Sequence, residues 1–250
     1  MNNSTDTLHK DISNQRAHNR LIPVPNPKQL ERFICSPLGL VPKPGQTENW
    51  RRIHHLSSPP GKSVNDHIPN EWGALEYASF DEAISMVAAV GQGAILIKRD
   101  LADAFRYIPV APDGHWLLGF CWNGTYWIDS FLPFGLRTSP FIFDLFAKGL
   151  HFLLEADPAI NRLFSILHYL DDFFAAGLPG ADPTICESRF SKICTELGLL
   201  IKESKSITGT TVANGGIEFD TLAMEARLPS AKLLKAKTLL STLLSRPDRG

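Results

Sequence analysis

Apolar residues fall in short blocks separated by proline- and glycine-rich joints, and the spacing within each block predicts its element. In FDEAISMVAAV, residues 80–90, Phe80, Ile84, Val87 and Ala88 share one face of a helix. AILIK, residues 94–98, is a short apolar run that predicts a buried strand, with Asp100 just past its end. Residues 101–107 predict a short helical turn stopped by Pro109. Residues 116–131 alternate around Asn123-Gly124, a strong hairpin signal. Residues 141–154 predict a long apolar helix, and FSILHYLDDFFAAG then predicts strand, tight turn, strand. Asp182 and Pro183 predict an N-cap and first helical residue. That helix turns Ile185, Phe190, Ile193, Cys194 and Leu197 inward and stops at Gly198. A strand at 199–201 follows, and residues 231–244 predict a last helix.

Strand, helix, hairpin, helix, strand is the order of a split βαβ sheet with helices on one face, an α+β fold. The N-terminal flank departs from it. Residues 1–30 are polar and proline-spotted and predict a flexible arm. Residues 32–69 are rich in proline, glycine and basic residues; 38–41 and 50–56 predict a hairpin with a basic rim, joined by the turn Lys43-Pro44-Gly45. The GKS at Gly61 is not a phosphate-cradling P-loop, because the required earlier glycine falls on Leu56.

Composition narrows the class further. The chain has 250 residues, 44% hydrophobic and 20% charged, enough apolar material for a sizeable core in one or two domains. No apolar run reaches the roughly 20 residues of a membrane span, and the N-terminus lacks the apolar core of a signal peptide. Four cysteines without a CxxC pair predict a reduced, intracellular protein with ordinary core thiols, in cytoplasm or nucleus. A net charge of −1 argues neither for nor against a nucleic-acid partner.

The chemistry concentrates in acidic residues set among apolar ones. In HYLDDFF, Asp171 and Asp172 stand side by side between greasy flanks, where two like charges repel and burial raises the cost of ionising both. Asp100, in LIKRDLADAF, ends another strand in a comparable setting. A bare Asp-Asp pair is usually a solvated turn. If the two segments are neighbours in one sheet, three carboxylates converge in an all-oxygen cluster suited to Mg²⁺ or Mn²⁺.

LIKRDLADAFRYIPV, LPFGLRTSPFIF, HYLDDF, LGLLIKESKS and GGIEFDT resemble, in sequence and order, the successive palm motifs of retroelement reverse transcriptases. SPLGLVPKPGQTENWRRIHHLS resembles their fingers hairpin, and the wording looks closest to retrotransposons of the DIRS-like, tyrosine-recombinase group. The resemblance spans roughly residues 33–228.

It implies a right-hand polymerase of fingers and palm with a truncated thumb: arm 1–32, fingers 33–93, palm 94–110, hairpin 111–130, palm 131–225 and the start of a thumb at 226–250. It implies RNA-directed DNA polymerase activity on primed RNA or DNA templates with dNTPs, away from membranes. Asp100, Asp171 and Asp172 would hold two Mg²⁺ ions. Lys43 and Arg51 resemble the fingers residues that close on the triphosphate. Asp103 and Ala104 resemble positions whose backbone N–H groups face it, supplied by a helix start. Phe105 resembles the ring under the sugar that excludes a 2′-hydroxyl. Gly135 sits where a side chain would obstruct template or nucleotide, preceded by Phe134 where retroviral enzymes carry glutamine. Arg137 could reach a phosphate, although a surface arginine is the plainer reading. Lys205 matches a lysine suited to protonating pyrophosphate, and GGIEFDT matches the primer-grip strands loosely. His54 and His55, on the predicted hairpin, carry no metal role. Family enzymes continue into a thumb and usually an RNase H domain, and neither fits in the residues that remain. A second reading is therefore a catalytically inactive remnant that serves as a nucleic-acid-binding or interaction module.

Overall fold

The computed structural model describes residues 2–42 and 50–244. In chain order the elements are α1 (Asn2–Ala17), β1 (Leu21–Val24), β2 (Leu38–Pro42), β3 (Trp50–His54), α2 (Phe80–Val90), β4 (Ile95–Asp100), β5 (Gly119–Trp122), β6 (Thr125–Asp129) and α3 (Ser139–Ala156). Then come α4 (Pro158–Asn161), β7 (Phe164–Tyr169), β8 (Asp172–Gly177), α5 (Pro183–Glu196), β9 (Ile207–Gly209), β10 (Thr211–Asn214), β11 (Ile217–Asp220), β12 (Glu225–Arg227) and α6 (Ser230–Leu244). The chain divides into two compact units, Met1–Glu76 with Asp103–Phe146, and Tyr77–Ala102 with Ala147–Gly250.

The second unit is built on a four-stranded antiparallel sheet in the order β7-β8-β4-β9. Strand, helix, hairpin, helix, strand thus closes as the expected split βαβ arrangement. A smaller sheet, β10-β11-β12, follows. Helix α2 carries a capping box between Ser79 and Glu82 and ends at Gly91, whose φ of +100° suits glycine. Its buried face is Ala83 and Val87, which join Leu96, Phe174, Ala176, Val212 and Phe219 in one core. Phe80 and Ile84, expected inward, are exposed, because Met86 and Val90 complete the packed stripe instead. Helix α2 packs within this sheet's unit.

Helix α5 starts as expected, with the Asp182 side chain accepting from the Thr184 N–H and Pro183 first in the helix. It buries Cys186, Phe190 and Cys194, one residue per turn. Ile185 and Ile193 are half-buried, and Leu197 is exposed because it sits past the last helical residue, before Gly198 at φ +70°. Burial pushes the thiols of Cys186 and Cys194 up to about 12, which leaves both unreactive. Cys35 and Cys121 are exposed, so only two of the four thiols belong to a core.

The strand expected at 199–201 reduces to a bridge between Ile201 and Leu101. The edge partner of β4 is β9, whose short and half-polar sequence gives no apolar run to read.

In the first unit, β1, β6 and β5 form an antiparallel sheet and β2 pairs with β3. Asn123 (φ +49°) and Gly124 (φ +74°) make the two-residue turn of the β5–β6 hairpin. Residues 1–32, expected as an arm, instead supply α1 and β1. Ile12 and Leu21 pack with Phe120 and Trp127, and β1 satisfies the free edge of β6. Few apolar residues were needed, which is why the segment reads as polar.

Asp129, fully buried at the end of β6, gathers the charges of this unit. It accepts from Arg52 Nη1 (3.1 Å) and Arg106 Nη2 (2.8 Å) and lies 3.2 Å from His54 Nδ1. Arg52 Nε also donates to Asp11 at 2.6 Å. The paired histidines of the hairpin thus divide into a buried structural His54 and an exposed His55.

Candidate active site

The β7–β8 hairpin turns through Leu170 and Asp171, so that Asp172 opens β8 directly across from Tyr169. Leu170 has a φ of +54°, a left-handed conformation that costs a non-glycine residue roughly 1–2 kcal/mol. Such strain gathers where a structure holds a residue for a purpose. On its other side β8 pairs with β4, and Asp100 stands directly opposite Asp172 in that ladder. The Leu101 N–H donates to the carbonyl of Asp171 at 2.9 Å, tying the turn to the end of β4. Three acidic residues from distant sequence positions are thereby set at one end of the sheet.

Asp100 is 2% exposed. Lys205 Nζ donates to its Oδ2 at 2.5 Å, and the Lys202 N–H donates to its backbone carbonyl at 2.7 Å. Residues 199–205 thus run past the end of β4 and deliver Lys205 to the carboxylate. Burial pulls the Lys205 ammonium down, but the hydrogen bond and charge of Asp100 more than offset this and leave it raised.

Asp172 behaves differently. Burial pushes its carboxyl up to about 6; Lys98 opposes this, while a hydrogen bond to Asp100 and the charges of Asp100 and Asp171 add to the rise. Its Oδ1 is buried without a hydrogen bond, with Lys98 Nζ 3.5 Å away. Lys98 gave no signal in the sequence, because its role depends on sharing a strand face with Asp100.

A raised carboxyl destabilises the fold when it ionises. The stabilisation is full below the ordinary carboxylate range and is lost as pH rises through about 6. Without divalent cations, the thermal midpoint should therefore fall by a few °C between pH 4 and pH 7 through this group. An Asp172→Asn variant should lack that component, and an identical slope in both proteins would remove the assignment.

A buried carboxylate oxygen of Asp172 that accepts no hydrogen bond, beside the buried Asp100 carboxylate, fits an oxygen-seeking divalent cation. Asp171 lies near enough for its charge to act on Asp172 and on Lys205. Among the described residues, however, no three His, Cys, Asp or Glu side chains are arranged as a ready set of metal ligands. Lys98 and Lys205 face the negative charge of the pair. Of the expected cluster, Asp100 and Asp172 are brought face to face and Asp171 flanks them.

The other expected residues belong to the first unit, apart from Lys43, which lies outside the described residues with the turn Lys43-Pro44-Gly45. Arg51 is exposed, its guanidinium 4.5 Å from the centre of the Phe134 ring. Phe105 is nearly buried, with Phe134 at 5.0 Å and Phe143 at 5.7 Å between ring centres. Gly135 has a φ of +119°, and a Cβ there would lie 2.0 Å from the carbonyl oxygen of His54, so backbone contact excludes any side chain.

Asp103 (φ +60°) and Ala104 (φ +34°) are both left-handed, ahead of a short 3-10 turn rather than an α-helix. Asp103 does not cap that turn; its carboxylate pairs with Arg20 at 2.7 Å. Arg137 donates to the Ile68 carbonyl (2.6 Å) and to Asn70 (2.7 Å), so it braces a loop.

No protein-family profile matches the chain. The Pro-Pol polyprotein of simian foamy virus type 1 is 28% identical over 146 residues, 58% of this chain and 11% of that polyprotein. Among solved structures, the foamy viral protease-reverse transcriptase dRH in complex with double-stranded DNA superposes with a TM-score of 0.73 at 20% identity, over 95% of this chain and 37% of that one. This chain is similar in sequence to part of a foamy virus Pro-Pol polyprotein and shares its fold with part of a foamy viral protease-reverse transcriptase. The foamy viral protease-reverse transcriptase in complex with an RNA/DNA hybrid gives a TM-score of 0.68 at 22% identity, over 95% of this chain and 28% of its own. The chain thus spans well under half the length of these relatives. It shares with the solved enzymes a mixed α/β fold. Among the described residues, no helix is long and apolar enough to cross a membrane.

Proposed function

We infer that the chain is an RNA-directed DNA polymerase whose chemistry resides at Asp100, Asp171 and Asp172. The observation that carries this reading is the pair of buried Asp100 and half-buried Asp172, in register across β4 and β8, with one Asp172 oxygen that accepts no hydrogen bond and meets only the Lys98 ammonium at 3.5 Å. A fold devoted only to stability gains nothing from facing a buried carboxylate with a second, half-buried one. In this reading the β4–β7–β8 sheet is the palm and the hairpin β2–β3 belongs to the fingers. The motif wording supports a retrotransposon of the DIRS-like group, and the foamy virus relatives support the broader class.

Asp100 and Asp172, with Asp171 beside them, would hold divalent cations, Mg²⁺ first. Bound there, such ions supply charge neutralisation for a triphosphate and acidity for a primer 3′-hydroxyl. The chain's own residues do the rest. Lys205, which donates to Asp100, would give a proton at Nζ to departing pyrophosphate. Arg51, and Lys43 with it, supply positive charge for the triphosphate. In the first unit, the left-handed Asp103-Ala104 turn carries backbone N–H groups of a kind suited to phosphate oxygens. Gly135, expected to clear space for template or nucleotide, is instead required by the His54 carbonyl packed against it. The nucleic-acid partners are a primed RNA or DNA template, in keeping with the duplexes and hybrids bound by the solved relatives.

Phe105 makes this reading testable. Its ring is fixed by Phe134 and Phe143 and cannot swing freely. In extension assays on an RNA template the wild type should incorporate dTTP opposite adenine and reject UTP. Phe105→Val should admit UTP at least about tenfold better, as removal of a steric block of 1–3 kcal/mol allows. Unchanged selectivity in an active variant would move sugar discrimination elsewhere.

A further inference from the structure

The second unit carries another cluster that the polymerase reading does not use. His151 on α3 and His168 on β7 face each other with Nδ1 to Nδ1 at 2.6 Å and ring planes at 79°. Each ring is held from behind. His151 Nε2 lies 3.2 Å from Glu155 Oε1, one turn along the same helix. The His168 ring stacks on buried Phe173, with centres 5.4 Å apart and planes at 21°.

A carboxylate on Nε2 places the proton there and leaves a lone pair on Nδ1 of His151. That is the outer carboxylate–imidazole arrangement by which proteins orient metal-bound histidines. We propose that His151 and His168 form a binding site for a nitrogen-preferring divalent cation of the Zn²⁺ type, distinct from the Asp100–Asp172 pair.

The geometry asks for little movement. Two imidazole nitrogens on a tetrahedral Zn²⁺, each about 2.0–2.1 Å from the ion, lie about 3.3 Å apart. The observed 2.6 Å needs to open by about 0.7 Å, within the reach of small side-chain rotations. His168 must hold its proton on Nε2, a change of tautomer in which no proton is lost. Among the described residues no third His, Cys, Asp or Glu joins the pair, so water completes the coordination. Imidazole donors select Zn²⁺ over Mg²⁺, the reverse of the carboxylate pair.

The test is calorimetric titration of the whole chain with Zn²⁺ alone, in buffer free of other divalent ions. One saturable equivalent is expected. His151→Gln and His168→Gln should each weaken it at least about tenfold, and Glu155→Gln by about tenfold through loss of orientation. Asp100→Asn should leave it unchanged. Thermal midpoints measured without metal establish that each variant is folded; should a histidine variant fail to fold, the Glu155→Gln result decides. Absence of a saturable equivalent, wild-type binding in both histidine variants, or loss of binding in Asp100→Asn would each overturn the proposal.

Discussion

Asp100→Asn should lose nucleotide incorporation by about 10³-fold or more while the protein stays folded. The magnitude is that of removing one preorganised charged group from a site where the transition state is stabilised electrostatically. The stability side is the more discriminating half. Asp100 is buried opposite Asp172, and the two share a hydrogen bond that pushes Asp172 upward. An amide in place of the carboxylate removes a like charge and can still hydrogen-bond to Asp172. The lost contact with Lys205 is small by comparison, because half of that lysine side chain is in solvent. The thermal midpoint should therefore hold or rise by a few °C, the signature of a residue kept for function at a cost in stability. Urea unfolding and single-nucleotide incorporation on the same preparation check both halves. A variant that loses activity because its midpoint has collapsed would not support the assignment.

Asp129→Asn should do the opposite, with a large loss of stability that owes nothing to chemistry. Burial alone would raise the Asp129 carboxyl, but Arg52 and Arg106 beside it hold it far below the usual carboxylate range. Those guanidiniums are themselves 7% and 3% exposed, so neutralising Asp129 leaves Arg106 without its carboxylate and Arg52 with Asp11 alone. Breaking a buried pair in this way costs about 3–5 kcal/mol. In a chain of this size that is a midpoint lowered by roughly 10 °C or more. The pH dependence has a definite sign. A depressed carboxyl stabilises the fold above its ordinary range and loses that contribution as pH falls below about 4. Wild-type stability should thus drop in acid through Asp129, and the variant should have lost this component at all pH values. A midpoint within about 2 °C of wild type at pH 7 would mean that water reaches these guanidiniums.

The parts of the chain that could be read in advance are those whose signal is local. The helix Phe80–Val90 was delimited by its own periodicity, and its serine cap and terminal glycine agree with it. Asn123-Gly124 dictated the β5–β6 hairpin, and Asp182-Pro183 the start of α5. The three aspartates were visible because each interrupts an apolar run.

What escaped depends on partners far along the chain. Strand β1 exists because β6 offers it an edge more than 100 residues later. Strand β9 exists because β4 has a second edge to cover. The cluster at Asp129 joins residues from four separate segments, and none of them is unusual where it stands in the sequence. Lys98 and the His151–His168 pair became visible only when strand faces and a helix face were known. The inward face of α2 was misjudged for a related reason. Its apolar residues surround more than one stripe, and the sheet, not the helix, decides which stripe is buried.

The central claim is that the carboxylates of Asp100, Asp171 and Asp172 perform template-directed synthesis. The most direct test is extension of a DNA primer on an RNA template by the whole chain, with Mg²⁺ and dNTPs, beside Asp171→Asn. The account predicts incorporation that follows the template, requires the divalent ion and falls to background in the variant. Incorporation that survives Asp171→Asn undiminished, or folded wild-type protein that binds primer–template but adds no nucleotide, would contradict it.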